Sequence, residues 1–348
     1  MPRKMRKRKP EAFAEQQTPK KRKQGRKEEH NPNDENAAQE DVFIRNVLAR
    51  PINERYLLGH KLGQGGFGMV FLGRDTIDGR EVALKLEHRS VVPSILQDEA
   101  ERCRQLQDLV GFPELFWNGW HDDYKVMAFE LLGPSLEDLF AFCGHRFSLQ
   151  TTFMLMDQLL QRLESLHSRG IVHRDIKPQN CLMGTGGNGN VVCITDFGLA
   201  EDADAKDDPS GTTSTRPWLV GTARYASIRG HEGRTQSFQD DLESLGYTMI
   251  YFARGHLPWQ GLEGRRKEKE ALILEKKRNI EVGDLCASLP EEFVKYMKYV
   301  RQLGYGEMPD YSRMRALFRW GTWSGTWDDD GVFDWTVLLY LQHKCESK

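Results

Sequence analysis

Between Tyr56 and Leu86, short stretches of apolar and β-branched residues alternate with polar or glycine-rich interruptions. One interruption is Asp78-Gly79, a pair that favours a tight turn. The pattern predicts an antiparallel meander of strands. A helix is predicted next, because apolar residues recur at every third or fourth position. They are Leu96, Ala100, Cys103, Leu106 and Val110.

Two further strands are predicted around Tyr124–Glu130, and helical periodicity dominates from Gly133 onward, with the longest helix over about 148–168. The chain has 348 residues, more than the roughly 250–300 at which a single hydrophobic core stops growing. We therefore predict an α+β fold with two lobes. The first, over residues 42–132, is small and antiparallel with one helix; the second, over residues 133–348, is larger and mainly α-helical.

Residues 1–41 carry few apolar side chains, so they cannot offset the entropy of ordering and are predicted to be disordered. The whole chain has a formal net charge of −2, yet residues 1–27 hold twelve Lys and Arg against two Glu. Two basic clusters, residues 6–9 and 20–23, have the spacing of a two-part signal that a nuclear import receptor would bind through residues 6–23. The alternative is a solvated basic tail that contacts nucleic acid or acidic proteins without specificity.

No apolar stretch approaches the ~18–20 residues that span a bilayer, and Met1 is followed by charged residues rather than by an apolar segment. We therefore expect no membrane association and no secretory leader. Six scattered cysteines without a C-x-x-C pair favour free thiols in a reducing compartment. The predicted location is nuclear, cytoplasmic or both.

Gly63, Gly65 and Gly68 form a G-x-G-x-x-G string that precedes Val70. Glycine lets the backbone approach phosphate oxygens and offer N–H donors, although a plain hairpin turn has the same composition. The string lies between two predicted strands, whereas a dinucleotide-binding fold needs it between a strand and a helix.

Lys85 lies inside an apolar strand, where a buried ammonium group needs a partner. Glu99 follows fourteen residues later on the predicted helix and can hold Lys85 in a position to bind α- and β-phosphates. The alternative is an edge-strand lysine whose amine reaches water.

A more specific set begins at residues 173–175, His-Arg-Asp. Asp175 can accept the proton of an attacking hydroxyl, Lys177 can neutralise a γ-phosphate and Asn180 can bind a metal ion. Asp196, in the string Asp-Phe-Gly, supplies a second metal ligand. Each string alone is compatible with a surface loop or a turn. Together, in this order after the lysine and glutamate, they predict phosphoryl transfer.

These residues resemble the protein kinases, and further segments are similar to the casein kinase I family of serine/threonine kinases over about Tyr56 to Gln342. They are residues 131–140 (LLGPSLEDLF), 221–228 (GTARYASI), 240–247 (DDLESLGY), 257–261 (LPWQG) and 309–311 (PDY). The resemblance implies a bilobal protein-kinase fold that binds ATP and Mg²⁺ between its lobes. It also implies transfer of the γ-phosphate to Ser or Thr hydroxyls of protein substrates.

The resemblance extends to individual site residues. It assigns ATP binding to Leu62, Gly63, Gln64, Gly65, Gly66, Phe67, Gly68, Met69, Val70, Lys85, Glu99, Glu130 and Leu132, with Phe129 behind the adenine and Leu131 in the hinge. It assigns catalysis to Asp175 and Lys177, Mg²⁺ to Asn180 and Asp196, and substrate binding to Thr222 and Arg224. Asp241 would anchor its helix beneath residues 173–180, the segment with Asp175 that is called the catalytic loop below.

Several positions depart from the casein kinase I pattern. Where the family has lysines after Asp-Phe-Gly, this chain has Glu201 and Asp202, and a second family lysine falls on Glu270. Acidic residues would repel a substrate phosphate, so we predict that the family's preference for acidic or phosphorylated sites is weakened. Arg224 is kept, and Arg229 stands where the family has Asn.

Two other features have plain structural interpretations. The glycine-rich residues 184–190 are predicted to be a hairpin turn rather than a phosphate loop. The C-terminal aromatic residues are predicted to pack the last helix rather than to form a ligand platform. These are Trp320, Trp323, Trp327, Phe333 and Trp335. Because no long inhibitory tail follows, we expect constitutive activity.

Three functions stay open at this point. The first is an active serine/threonine kinase. The second is a pseudokinase scaffold, which would need a broken Lys85, Asp175, Asn180 or Asp196, and all four are present. The third is a nucleic-acid-tethered protein that acts through its basic tail.

A reporter too large to diffuse through the nuclear pore should accumulate in the nucleus when fused to residues 1–27, because each basic cluster supplies cations for an import receptor. Fluorescence microscopy measures the distribution. A matched fusion with alanine at residues 20–23 should lose the accumulation. Cytoplasmic retention of the unchanged fusion would contradict the import signal.

Overall fold

The computed structural model describes residues 50–65, 68–203, 219–319 and 331–346 of the chain. Its strands are β1 (Tyr56–Gly65), β2 (Gly68–Asp75), β3 (Glu81–His88), β4 (Leu115–His121), β5 (Tyr124–Glu130), β6 (Ile171–Val172), β7 (Cys181–Met183), β8 (Val192–Ile194) and β9 (Glu201–Asp202). Its helices are α1 (Ile95–Leu106), α2 (Leu136–Phe142), α3 (Leu149–Ser168), α4 (Ile228–His231), α5 (Phe238–Arg254), α6 (Arg266–Asn279), α7 (Val282–Leu285), α8 (Glu291–Gln302), α9 (Tyr311–Arg319) and α10 (Asp334–Glu346). Short 3₁₀ helices cover Pro178–Asn180, Gly186–Asn188 and Phe197–Leu199.

Strands β1 to β5 form one antiparallel sheet in the order β1-β2-β3-β5-β4. The predicted turn between β2 and β3 is present, with Gly79 at φ +77°, a left-handed backbone that glycine adopts without steric cost. Strand β3 lies in the middle of the sheet, and its residues 82–87 are all buried. A lysine in this strand is therefore removed from water and requires a charged partner.

Helix α1 packs against the sheet through a buried face: Leu96, Glu99, Ala100, Cys103 and Leu106. Ser94 caps its first turn by accepting a hydrogen bond from the Gln97 N–H. The sequence periodicity was wrong about the end of this helix. Helix α1 ends at Leu106, and Val110 is 67% exposed. The chain leaves the helix through a turn that reaches Gly111 at φ +85°.

Helices α3 and α5 pack against each other, and most of their side chains are buried. Helix α3 confirms the predicted longest helix. Ser148 caps it by accepting a hydrogen bond from the Thr151 N–H at 3.1 Å. The N–H and hydroxyl of Ser148 also donate to the carboxylate of Asp334 at 2.6 and 2.7 Å, which joins the start of α10 to the start of α3.

Core packing is confirmed for the two C-terminal aromatic residues that the structure describes. The rings of Phe333 and Trp335 are buried and stacked, with centroids 4.5 Å apart. Trp335 also contacts Phe147, at 5.4 Å between centroids. The other three tryptophans of the predicted group, at positions 320, 323 and 327, lie outside the described residues.

The structure confirms an α+β fold with an antiparallel sheet lobe followed by a helical lobe. The predicted boundary between Leu132 and Gly133 falls in the connection from β5 to α2. Residues 184–190 connect β7 to β8 as the predicted hairpin turn. The predictions for the tail and its two basic clusters lie outside the described residues. Among the described helices, none combines the length and apolar character needed to cross a membrane.

Candidate active site

The centre of the site is an ammonium group held between two carboxylates. Lys85 Nζ on β3 lies 2.8 and 2.7 Å from the two carboxylate oxygens of Glu99 on α1. It also lies 2.8 Å from Oδ1 of Asp196, which follows β8. The first contact has the geometry expected from the sequence. The second joins the sheet lobe to the segment after β8 and was not foreseen.

Both carboxylates keep Lys85 charged. Burial by itself lowers the pKa of this ammonium group, but Glu99 and Asp196 outweigh burial and raise the pKa above its ordinary value. Burial acts in the opposite sense on Asp196, and there Lys85 outweighs it and lowers the pKa of the carboxyl group. The site therefore presents a fixed positive charge beside a fixed negative one at neutral pH.

Two non-glycine residues of the site adopt left-handed backbone conformations. Arg174 has φ +67° and Asp196 has φ +65°, each at a cost of about 1–3 kcal/mol that neighbouring contacts must offset. Phe197, next to Asp196, provides such contacts. Its ring packs against Phe112 at 6.0 Å and against His173 at 5.3 Å between centroids.

Hydrogen bonds on both carboxylate oxygens hold Asp175. Thr222 donates its backbone N–H and its hydroxyl to Oδ1, each at 2.9 Å. Lys177 Nζ donates to Oδ2 at 2.5 Å, and the Asn180 amide donates to the same oxygen at 3.3 Å. The orientation of the carboxylate is therefore set by groups that the sequence had assigned to catalysis, metal binding and substrate binding.

Gly221 allows this close approach of Thr222. Its φ is +90°, and a Cβ at this position would lie 2.5 Å from the Arg174 carbonyl oxygen and 3.2 Å from Oδ1 of Asp175. Any side chain would push the segment away from the catalytic loop, so glycine is required here.

Helix α5 supports the catalytic loop from beneath. Asp241 is buried, and its carboxylate accepts the backbone N–H of His173 at 2.7 Å and of Arg174 at 2.8 Å. The Nε2 atom of His167 lies 3.0 Å from the same carboxylate. Burial alone would raise the pKa of Asp241, and these contacts, the His167 bond foremost, lower it below its ordinary value. The anchor inferred for Asp241 thus acts directly on the loop backbone.

A cleft of about 930 Å³ lies beside these groups. Its apolar walls include Leu62, Val70 and Ala83 from the sheet and Leu182 from β7. One flat heteroaromatic ring fits between such walls, and the volume lies within the range of small-molecule sites. The polar end contains the Lys85 cluster.

Most residues predicted to bind the nucleotide line this cleft. They are Leu62, Gly63, Gln64, Gly68, Val70, Lys85, Glu99, Glu130 and Leu132. Phe129 and Leu131 line it as well. Lys177, Asn180 and Asp196 lie at its polar end, so the structure brings the predicted phosphate and metal groups into one cavity.

Met69 is an exception. Neighbouring residues of a strand face opposite sides of the sheet, so Val70 lines the cleft whereas Met69 is buried on the opposite face of β2. Gly65 ends β1, and Gly66 and Phe67 lie outside the described residues.

A family model described as the protein kinase domain matches residues 56–301, more than half of the chain. The match covers the sheet, the Lys85 cluster, the catalytic loop and the segment that contains Thr222. The chain belongs to the protein kinase family. Membership supports phosphoryl transfer to protein substrates, and it implies ATP and typically Mg²⁺ as the cofactors.

Next to the catalytic loop, the kinase has a second, smaller cavity of about 380 Å³. Thr222 and Arg224, predicted to bind substrate, both line it, together with Trp259 and Lys269. Glu270, which stands at the position of a casein kinase I lysine, is paired with Arg266 at 2.8 Å. The cavity is therefore lined by two cationic side chains, Arg224 and Lys269. Glu270 is not among its lining residues, so the geometry does not support the expected repulsion between Glu270 and a substrate phosphate.

Lys277 on α6 is a site residue that sequence reasoning missed. It is fully buried, and its Nζ donates to the carbonyl oxygens of Ala223 at 2.8 Å and Ala226 at 2.5 Å. The rings of Tyr247 and Trp259 lie 4.9 and 5.1 Å from the ammonium group. Lys277 thus holds the substrate-facing segment from behind.

Burial lowers the pKa of Lys277 to about 7, and the carboxylate of Glu243 opposes this shift. No periodicity or motif marks this residue, because Lys276 and Arg278 beside it are equally basic. Its role depends on which face of α6 meets the segment.

Asp175→Asn should lower kcat by at least about 100-fold, since general-base contributions are typically that large, while the Kd for ATP changes little. The amide keeps the shape of the side chain but cannot take up a proton. Steady-state kinetics and calorimetric ATP titration measure the two quantities. The control is Asp123→Asn in an exposed turn. Unchanged kcat in Asp175→Asn would remove this residue from the mechanism.

Lys277→Met should lower the free energy of unfolding by about 1–3 kcal/mol, because two buried carbonyl groups lose their donor. It should also raise the KM for a peptide substrate while leaving the KM for ATP unchanged. Thermal denaturation and kinetics measure these effects. The matched control is Lys276→Met, one residue earlier on the outside of α6. Equal behaviour of the two variants would contradict the assigned role.

Proposed function

We propose that this protein is a serine/threonine protein kinase of the casein kinase I type, which transfers the γ-phosphate of ATP to Ser or Thr hydroxyls of proteins. The observation that carries the proposal is the joint attachment of Lys177 and Thr222 to the Asp175 carboxylate. A proton acceptor, a cation for the transferred phosphate and a substrate-facing hydroxyl residue meet within hydrogen-bond distance.

The described residues fit ATP and Mg²⁺. Asn180 donates its amide nitrogen to the Asp175 carbonyl oxygen at 3.0 Å, which leaves its amide oxygen as the atom that a cation would take. Asp196 offers a carboxylate in the same cleft, and Mg²⁺ prefers oxygen ligands of these kinds. When bound, Mg²⁺ neutralises phosphate charge. Asn180 and Asp196 would hold it.

Asp175 would orient the attacking hydroxyl and take up its proton, while Lys177 would neutralise charge on the transferred group. Thr222 Oγ1 lies 2.9 Å from Asp175 and 3.1 Å from Lys177. Because Thr222 and Lys177 both lie close to the Asp175 carboxylate, we expect the site to accept the short side chains of Ser and Thr in preference to the longer side chain of tyrosine. The similarity of residues 221–228 to casein kinase I supports the same choice.

Substrate preference follows from charge near the acceptor site. Arg224 and Lys269 line one cavity, whereas Glu201 and Asp202 stand where the family has lysines. A weakened preference for phosphorylated or acidic substrates therefore remains our proposal, because the family's lysines are missing at these two positions. Nuclear import through residues 6–23 and a nucleic-acid contact of the basic tail also remain proposals, independent of the kinase site.

An arrayed peptide library with radiolabelled ATP and Mg²⁺ tests the function directly. We expect incorporation into Ser and Thr peptides, little into Tyr peptides and none with Asp175→Asn. Incorporation into Tyr peptides alone, or none at all, would refute the proposal.

The same array tests the preference, by comparing matched peptides with phosphoserine, Glu or Ala three residues before the acceptor. We expect phosphoserine to raise turnover less than about tenfold over Ala, the equivalent of roughly 1.4 kcal/mol. A larger gain would show that Arg224 and Lys269 dominate the subsite.

A further inference from the structure

A carboxylate from strand β3 holds the start of helix α1. Glu87 is buried, with 3% of its surface exposed. Its Oε1 atom accepts the backbone N–H groups of Ile95 at 2.9 Å and Leu96 at 3.0 Å. Its Oε2 atom accepts the hydroxyl of Ser94 at 2.5 Å. Glu87 is not among the residues that line the cleft, so contact with a nucleotide does not explain its burial.

The helix start and this carboxylate compensate each other. The first four N–H groups of an α-helix have no partner within the helix and together carry partial positive charge. In α1 they belong to residues 95–98. Glu87 accepts two of them, and the Ser94 hydroxyl accepts that of Gln97 at 3.3 Å. Within the described part of the chain no Lys or Arg pairs with Glu87, so the helix start supplies the compensation that a buried charge needs.

The Glu87 contact is in register with the Lys85 contact. Two residues along a strand share one face and lie roughly 7 Å apart. Ile95 and Glu99 are separated by four residues, or roughly 6 Å along a helix. The strand and the helix run in opposite directions, so the later strand residue, Glu87, meets the earlier helix residue, Ile95. Strand β3 therefore holds α1 at two points with matching separations.

Two points of attachment fix the helix more closely than one. A helix held only through the pair of Lys85 and Glu99 can still pivot about that contact. The hydrogen bonds to Glu87 remove this freedom, since a slide of α1 by one residue, about 1.5 Å, would break them. Binding groups must be held within about 0.5 Å of their productive position, and the ammonium group of Lys85 follows the position of Glu99.

We propose that Glu87 is a positioning residue: by binding the start of α1, it places Glu99 so that Lys85 is held where it can bind the α- and β-phosphates of ATP. This inference rests on the proposed kinase function and extends it to a residue outside the cleft. Glu87 acts through Glu99 and Lys85 and does not touch the nucleotide.

The first test compares ligands with and without phosphates. Glu87→Gln keeps the shape of the side chain but removes its charge and one acceptor oxygen. It should raise the Kd for ATP and for ADP about fivefold or more, because charge-assisted hydrogen bonds are lost. The Kd for adenosine should stay within about twofold. Calorimetric titration of the full-length protein measures all three. An unchanged Kd for ATP, or an equal rise for adenosine, overturns the inference.

The matched control is Asp98→Asn. This carboxylate lies in the first turn of α1 and is exposed, so the substitution changes the charge at the same end of the helix at a position open to solvent. The Kd for ATP should stay within about twofold of the wild-type value. An equal loss of ATP affinity in both variants would assign the effect to the helix charge in general and overturn the role of Glu87.

The second test moves the charge from the strand to the helix cap. Ser94→Asp alone sets two carboxylates against each other and should weaken ATP binding. In the double variant Glu87→Gln with Ser94→Asp, the new amide can donate to the new carboxylate, and Asp caps a helix as well as Ser does. The double variant should bind ATP within about twofold of wild type. A simple loss of packing at either position would not be reversed by the second change. Failure of the double variant to recover affinity overturns the inference.

The third test needs no nucleotide. Hydrogen exchange, followed by mass spectrometry on the ligand-free protein, should be faster at the start of α1 in Glu87→Gln than in wild type. The double variant should return to the wild-type rate, and α3 should be unaffected throughout. Wild-type exchange at the start of α1 in Glu87→Gln overturns the inference.

Failure of this inference is distinguishable from failure of the proposed function. A wild-type protein that phosphorylates peptides, with a Glu87→Gln variant that binds ATP equally well, rejects the inference and leaves the kinase intact. A wild-type protein that transfers no phosphate to any Ser, Thr or Tyr peptide rejects the proposed function, whereas the nucleotide affinities and exchange rates still decide the role of Glu87.

Discussion

One buried ammonium group, that of Lys85, couples the two lobes of this kinase. Its partners come from separate parts of the chain: Glu99 from α1 and Asp196 from the segment after β8. Removing one partner of a buried ion pair typically costs about 3–5 kcal/mol, because it leaves an uncompensated charge. Moving helix α1 or the Asp-Phe-Gly segment out of the cleft would therefore break a contact of Lys85. The architecture of the phosphate site follows from this constraint.

A second layer of contacts positions Asp175, the proposed proton acceptor. Asp241 from α5 holds the loop backbone from beneath, and Thr222 holds the carboxylate of Asp175 from the substrate side. At position 221 only glycine allows the segment that contains Thr222 to come this close to Arg174 and Asp175. Lys277 supports the same segment from behind. Each candidate catalytic group is thus held by a neighbour from another element, as preorganised electrostatic catalysis requires.

Much of the site was predictable because its chemistry depends on local strings. The spacing of Asp175, Lys177 and Asn180 places three functional groups within one loop, and an apolar strand around Lys85 demanded a partner such as Glu99. Local patterns gave wrong predictions where the direction of a side chain or the end of a helix decided the outcome. Met69 was included with the glycine-rich string although strand alternation turns it away from the cleft. Val110 continued a helical spacing that the chain had already left.

The amino-acid sequence by itself determined the order of strands and helices, the two-lobed division and which residues are candidates for catalysis, because periodicity and short motifs act over a few residues. Only the tertiary structure decided which distant charges meet. Glu201 and Asp202 read as repulsive carboxylates in the sequence, yet the β6–β9 pairing sets them against Arg174 and Arg102. Electrostatic energy depends on the distance and burial of both partners, and folding alone brings residues a hundred positions apart into contact.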